Sequence, residues 1–234
     1  MAIKGILFDK DGTLLDYAAT WMPVNRAAAL AAAGGDAELS QRLLVAGGYD
    51  PVRGRVAANT VLAAGNSTEI AAAWLEHLPG WNAAQVIELL DRIFEREGAE
   101  CAVPVTELGP LFARLKMRGL KLGVATSDSE RGVRATLRDF GVLDLLDYVA
   151  GYDSGHGMKP HPGMVHGFCE STGLAAAEVA VVGDNLHDLE MGRRAGAGLI
   201  VGVLSGTGER DELAAHADHV LDSILGLEAL LDRP

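Results

Sequence analysis

Two regimes of hydrophobic and polar patterning divide the chain. The stretch from Ile3 to Phe8 is short and rich in Ile, Leu and Phe, the signature of a buried parallel strand. It ends at Asp9, and Gly12 breaks it. From about Tyr17 to Gly98 the spacing is helical, with almost no strand signal. Residues 17–33 predict an Ala-rich helix closed by Gly34-Gly35, with Pro23 kinking it or lying near its start. Asp36 caps a second helix running to Ala46, and Gly47-Gly48-Tyr49-Asp50-Pro51 is a turn. Asn66 with Glu69, and Asn82 with Gln85, are capping pairs for helices over 67–77 and 83–97. In the latter, Val86, Leu89, Leu90, Ile93 and Phe94 fall on one face.

From Val103 onward strands and helices alternate. Thr106 caps a helix to Arg118, ended by Gly119, and Leu120–Thr126 is a strand. Asp128 caps a helix ending at Phe140-Gly141. Short strands follow at Tyr148–Ala150, Glu178–Val182, Leu199–Val203 and His219–Leu221. The helices between them cover residues 162–172, about 185–195 and 209–215, with a last one from Ser223. This alternation predicts an α/β fold, a parallel sheet with helices on both faces. Residues 1–16 and 99–234 form the core domain, and residues 17–98 are an all-helical insertion.

Composition narrows the class. The chain has 234 residues, 49% of them apolar, enough to bury a sizeable core. Its net charge of −12 argues against nucleic acid or an anionic membrane as partner. The two cysteines, Cys101 and Cys169, lie far apart in no metal-like pattern and predict free thiols. No apolar run approaches the ~20 residues of a membrane span, and Met1–Gly5 leads straight into a strand. A cytoplasmic protein, a monomer or homodimer, is expected.

Candidate chemistry collects at strand ends. Asp9 and Asp11 stand at the carboxyl edge of the first strand, where open α/β sheets bind ligands. Thr126 and Ser127 end a second strand; they serve either as helix caps or as a phosphate cradle built from hydroxyl, amides and a helix N-terminus. Lys159, followed by Pro160, is either a solvated loop lysine or a fixed cation for a phosphoryl group. Asp184 and Asp188, four apart at a helix start, either favour the helix dipole or join Asp9 and Asp11 in a hard, oxygen-rich site of the kind Mg²⁺ prefers. His161 reads as structural. Arg26, Arg42, Arg53 and Arg55 are the basic residues of interest in the insertion. Arg53 and Arg55, after a Gly-rich turn, either solvate the surface or meet a substrate carboxylate.

With Asp9-x-Asp11-Gly12-Thr13, Thr126, Lys159-Pro160 and Gly183-Asp184-x-x-x-Asp188 in this order, the chain resembles the haloacid dehalogenase-like hydrolase superfamily. Lys159-Pro160-His161-Pro162, Gly202–Gly206 and Ala217–Val220 make it most similar to the phosphoglycolate phosphatase group. The resemblance implies a Rossmann-like core carrying a helical cap that chooses the substrate, a small phosphorylated metabolite. It implies Asp9 as nucleophile and Asp11 as acid and base, a position where dehalogenases lack an acid. It further implies Mg²⁺ held by Asp9, the Asp11 carbonyl, Asp184 and Asp188. Thr126, Ser127 and Lys159 would bind phosphate, and the loop at Gly12–Asp16 would move during transfer. A phosphatase is the first expectation, with 2-phosphoglycolate the first substrate to test. A phosphomutase of the β-phosphoglucomutase type and a non-catalytic phospho-ligand-binding protein are the alternatives.

Overall fold

The computed structural model describes residues 2–232. Six parallel strands form one sheet: β1 (Gly5–Phe8), β4 (Lys121–Ala125), β5 (Tyr148–Ala150), β6 (Val179–Gly183), β7 (Leu199–Val203) and β8 (His219–Leu221). Their order across the sheet is β5-β4-β1-β6-β7-β8. Numbered among themselves in chain order they read 3-2-1-4-5-6, the doubly wound arrangement whose direction reverses beside the first strand.

β1 is buried along its whole length between β4 and β6. Side chains alternate across a sheet, so its residues feed two separate cores. Ile6 and Phe8 join Val124, Val182 and Val201 on one face. Leu7 joins Val181, Ile200 and Phe168 on the other. Helices α6 (Leu108–Met117), α7 (Glu130–Arg138), α8 (Gly163–Thr172), α9 (Leu186–Ala195), α10 (Arg210–Ala214) and α11 (Leu227–Leu231) complete this part of the chain.

Between β1 and β4 lie α1 (Tyr17–Ala32), α2 (Ala37–Ala46), α3 (Val61–Ala64), α4 (Ser67–Leu75) and α5 (Ala83–Glu100). They enclose an apolar cluster of their own, with Trp21, Val24, Leu43, Trp74, Leu90 and Phe94 among its members. The faces of α5 named above are buried as the spacing requires. Both capping boxes form: Asn66 with Glu69 on α4, and Asn82 with Gln85 on α5. Pro23 sits in the second turn of α1.

Three local expectations need correction. The helical stretch also contains an antiparallel hairpin, β2 (Tyr49–Asp50) with β3 (Arg55–Val56); strands of two residues are too short to show a period. Thr106 does not cap α6, whose N-cap is Glu107 without a side-chain bond. Asp128 does not cap α7 either; Ser129 does, accepting from the Gly132 amide at 3.0 Å. Cys101 and Cys169 are both free. Among the described residues, no helix is long and apolar enough to cross a membrane.

Candidate active site

The chain leaves β1 in a tight turn. Asp9 still donates its amide to the Val182 carbonyl, extending the ladder by one residue. Leu14 and Leu15 then return their amides to the Lys10 carbonyl, at 2.9 and 3.0 Å. Gly12 has φ +88°, and a Cβ there would lie 2.6 Å from the Asp184 carboxylate. Only glycine meets both conditions. The turn thus brings the end of β1 against the end of β6, at the reversal point of the sheet.

Lys159 joins the two strand ends. Its Nζ lies 2.6 Å from Asp9 Oδ1 and 2.6 Å from Asp188 Oδ1, with all three side chains buried. Burial acts to lower the lysine, but the Asp188 and Asp9 carboxylates outweigh it and hold it above its ordinary value. Burial also pushes Asp9 up to about 7, against the pull of Lys159 and with help from Asp188 and Asp11. Asp184 rises well above the ordinary carboxyl range, from burial first and then from Asp9 and Asp188. It is oriented by Thr207, whose amide donates to Oδ2 at 2.8 Å. Asp9, Asp184 and Asp188 each offer a carboxylate oxygen within 4.8 Å of the others.

A second network holds Asp11. Trp21 of α1 donates its indole N–H to Asp11 Oδ1, and Lys10 Nζ lies 3.2 Å from Oδ2. Lys10 is fully buried, 2.7 Å from Asp128 Oδ2 and 5.2 Å from the Trp21 ring centroid. One buried cation is therefore shared between two acids, of which Asp11 also borders the cavity. Burial raises Asp11 above its usual range, although Lys10 opposes the shift.

One cavity brings together Asp9, Asp11, Thr126, Ser127, Lys159, Asp184 and Asp188. Its far wall comes from the helical insertion, through α1, α3, the start of α4, and α5. Thr126 and Ser127 do not cap α7; the Thr126 hydroxyl accepts from the Asp128 amide at 3.1 Å while lining this space. Arg53 and Arg55 lie outside it. Arg53 is exposed beside Asp50 at 3.7 Å, and Arg55 pairs with Glu209 at 2.6 Å. His161 stands outside as well, its Nδ1 3.1 Å from the His156 carbonyl. Sequence reasoning missed Lys10, Trp21, Asp128 and Thr207 as parts of the site. Lys10, a cation set between two acids at the end of a buried strand, carried a legible signal; the other three did not.

The model of the haloacid dehalogenase-like hydrolase matches residues 3–196. The chain belongs to that family. Among this hydrolase's curated relatives is an N-acetylmuramic acid 6-phosphate phosphatase of Pseudomonas aeruginosa, 28% identical over 100% of this chain and 96% of its own length. A phosphoglycolate phosphatase of Yersinia pseudotuberculosis is 29% identical, over 99% of this chain and 97% of its own. The crystal structure of CbbY from Rhodobacter sphaeroides, in complex with phosphate, aligns at a TM-score of 0.73 and 25% identity. That alignment covers 99% of this chain and 100% of that one.

Proposed function

We propose that this hydrolase cleaves a small phosphate monoester through an aspartyl-phosphate on Asp9, with Mg²⁺ as cofactor and residues 17–98 as the unit that selects the substrate. The observation that carries the reading is the convergence of Asp9, Asp184, Asp188 and Lys159 on one buried point beside Asp11. The relatives named above are phosphatases, which supports the same reaction class.

The donor set suits a hard divalent cation. It consists of carboxylates, with no thiolate or imidazole in the cluster. Three buried acids face one lysine, and Asp9 and Asp184 are pushed upward by burial first and by the neighbouring carboxylates second. Asp9, Asp184 and Asp188, with the backbone carbonyl of Asp11, would hold Mg²⁺, which when bound offsets the repulsion between carboxylate and phosphate.

The chain's own groups perform the transfer. An oxygen of Asp9 attacks phosphorus, and the bond from phosphorus to the leaving alcohol breaks. Asp11 gives its proton to that leaving oxygen, burial raising its pKa against the pull of Lys10. Water then attacks phosphorus, Asp11 takes the water's proton, and the Asp9 carboxylate is restored as phosphate departs. Lys159, Thr126 and the Ser127 amide bind the oxygens that are not transferred. The turn at Gly12–Asp16, continuous with α1, is the element that moves to exclude water.

The test is Asp9→Asn. Phosphate release from p-nitrophenyl phosphate should fall by about a thousandfold or more, with the melting temperature preserved, and a chelator should abolish wild-type turnover. Substantial activity of the variant at saturating Mg²⁺ would sink the assignment of Asp9. Turnover that depends on a sugar bisphosphate primer would instead indicate the mutase.

A further inference from the structure

The far wall of the cavity has a composition of its own. Tyr17, Trp21, Leu62, Ile70 and Phe94 present aromatic and aliphatic carbon opposite the transfer residues. Among the described lining residues, Lys159 is the only lysine or arginine, and Asp9 and Asp188 already occupy it. All six arginines of residues 17–98 stay out of the cavity.

The polar atoms on this wall are also committed. The Tyr17 hydroxyl donates to the Leu62 carbonyl and accepts from Asn25 Nδ2. The Trp21 N–H is held by Asp11. Ser67 donates its hydroxyl to Asp91, which places a carboxylate behind the wall. The N-terminus of α4 borders the cavity and would ordinarily attract an anion. Its own box closes it: Asn66 Oδ1 accepts from the amides of Thr68 and Glu69, and the Glu69 carboxylate accepts from the Asn66 amide. Asn25 Oδ1 is the exception, accepting no hydrogen bond among the described residues.

We infer that the site selects phosphate esters of uncharged alcohols, with an apolar face against the aromatic wall and a hydroxyl for Asn25, and rejects leaving groups that carry a carboxylate. The inference rests on the phosphatase reading above. A carboxylate entering this wall would lose its hydration, find no free lysine or arginine and no open end of α4, and face Asp91 behind Ser67. The selectivity therefore arises as much from repulsion as from attraction. It also separates this hydrolase from its phosphoglycolate phosphatase relatives.

The experiment compares kcat/KM for 2-hydroxyethyl phosphate and 2-phosphoglycolate, two esters of nearly equal size, with p-nitrophenyl phosphate as reference. The wild-type enzyme at saturating Mg²⁺ should favour the uncharged ester by at least about tenfold. Ala64→Lys adds a cation at a half-buried position on the same wall. It should shrink that preference by about tenfold or more. Equal or better turnover of 2-phosphoglycolate by the wild type overturns the inference while leaving the phosphatase reading intact. An unchanged preference in a folded Ala64→Lys enzyme also overturns it, because charge would then not be the cause. Absence of phosphate release from all three esters overturns the phosphatase reading, and this inference with it.

Discussion

The indole N–H of Trp21 donates to Asp11 Oδ1 at 2.5 Å. Asp11 belongs to the turn after β1, whereas Trp21 belongs to the first helix of the insertion and packs edge-on against Phe94 of α5. The acid assigned to proton transfer is thus aimed by the unit that walls the substrate cavity.

Trp21→Phe tests the coupling. Phenylalanine keeps the ring in the apolar cluster but removes the donor. A hydrogen bond to a neutral acid contributes about 0.5–1.5 kcal/mol, so kcat should drop about two- to tenfold with KM little changed. Steady-state kinetics on p-nitrophenyl phosphate supply the check. A loss confined to KM would mean that Trp21 only shapes the pocket.

Gly206 stands against Asp184: a Cβ there would fall 1.9 Å from Asp184 Oδ2. Gly206→Ala must displace either the carboxylate or the loop that carries Thr207. A disturbed partner of a metal ligand typically costs about 10–100-fold in affinity. A Mg²⁺ titration of activity should therefore show the half-saturating concentration rising by about that factor. A curve superimposable on the wild type would remove Asp184 from the metal set.

Asp147 provides a pH-dependent contribution away from the site. It accepts from Lys116 Nζ at 2.6 Å, Lys121 Nζ at 3.0 Å and the Leu122 amide at 2.9 Å. Burial opposes the shift, but these donors hold its pKa below the ordinary value. A depressed pKa contributes stability above the unfolded value of about 3.9, and that stability disappears as pH falls through the folded pKa. Asp147→Asn should cost about 1–2 kcal/mol at pH 7. The gap from wild type should close on acidification below about pH 4. Urea denaturation at both pH values measures it; a gap independent of pH would assign the loss to packing.

Much of the fold could be read locally. The capping boxes at Asn66 and Asn82 close over three residues, so their signal survives in the linear sequence. Asp128 shows the opposite case. Its place before a helix suggested a cap, yet its carboxylate serves Lys10, 118 residues away. Arg53 and Arg55 followed a turn that could have faced substrate; the hairpin instead directs them to Asp50 and Glu209.

The sequence by itself determined the strand ends and the acids upon them. Buried parallel strands need unbroken apolar runs, and a charged residue must wait for the edge, so Asp9, Asp11 and Asp184 announce themselves, with Asp188 in the first turn of the helix that follows. It also carried the order of motifs from which the family was recognised. Tertiary structure decided which cation meets which acid: Lys159 goes to Asp9 and Asp188, Lys10 to Asp11 and Asp128. It decided as well that the wall opposite them is apolar and free of arginine. Charge pairing and cavity lining depend on distances between residues far apart in the chain, and those distances exist only once the sheet has brought its strand ends together.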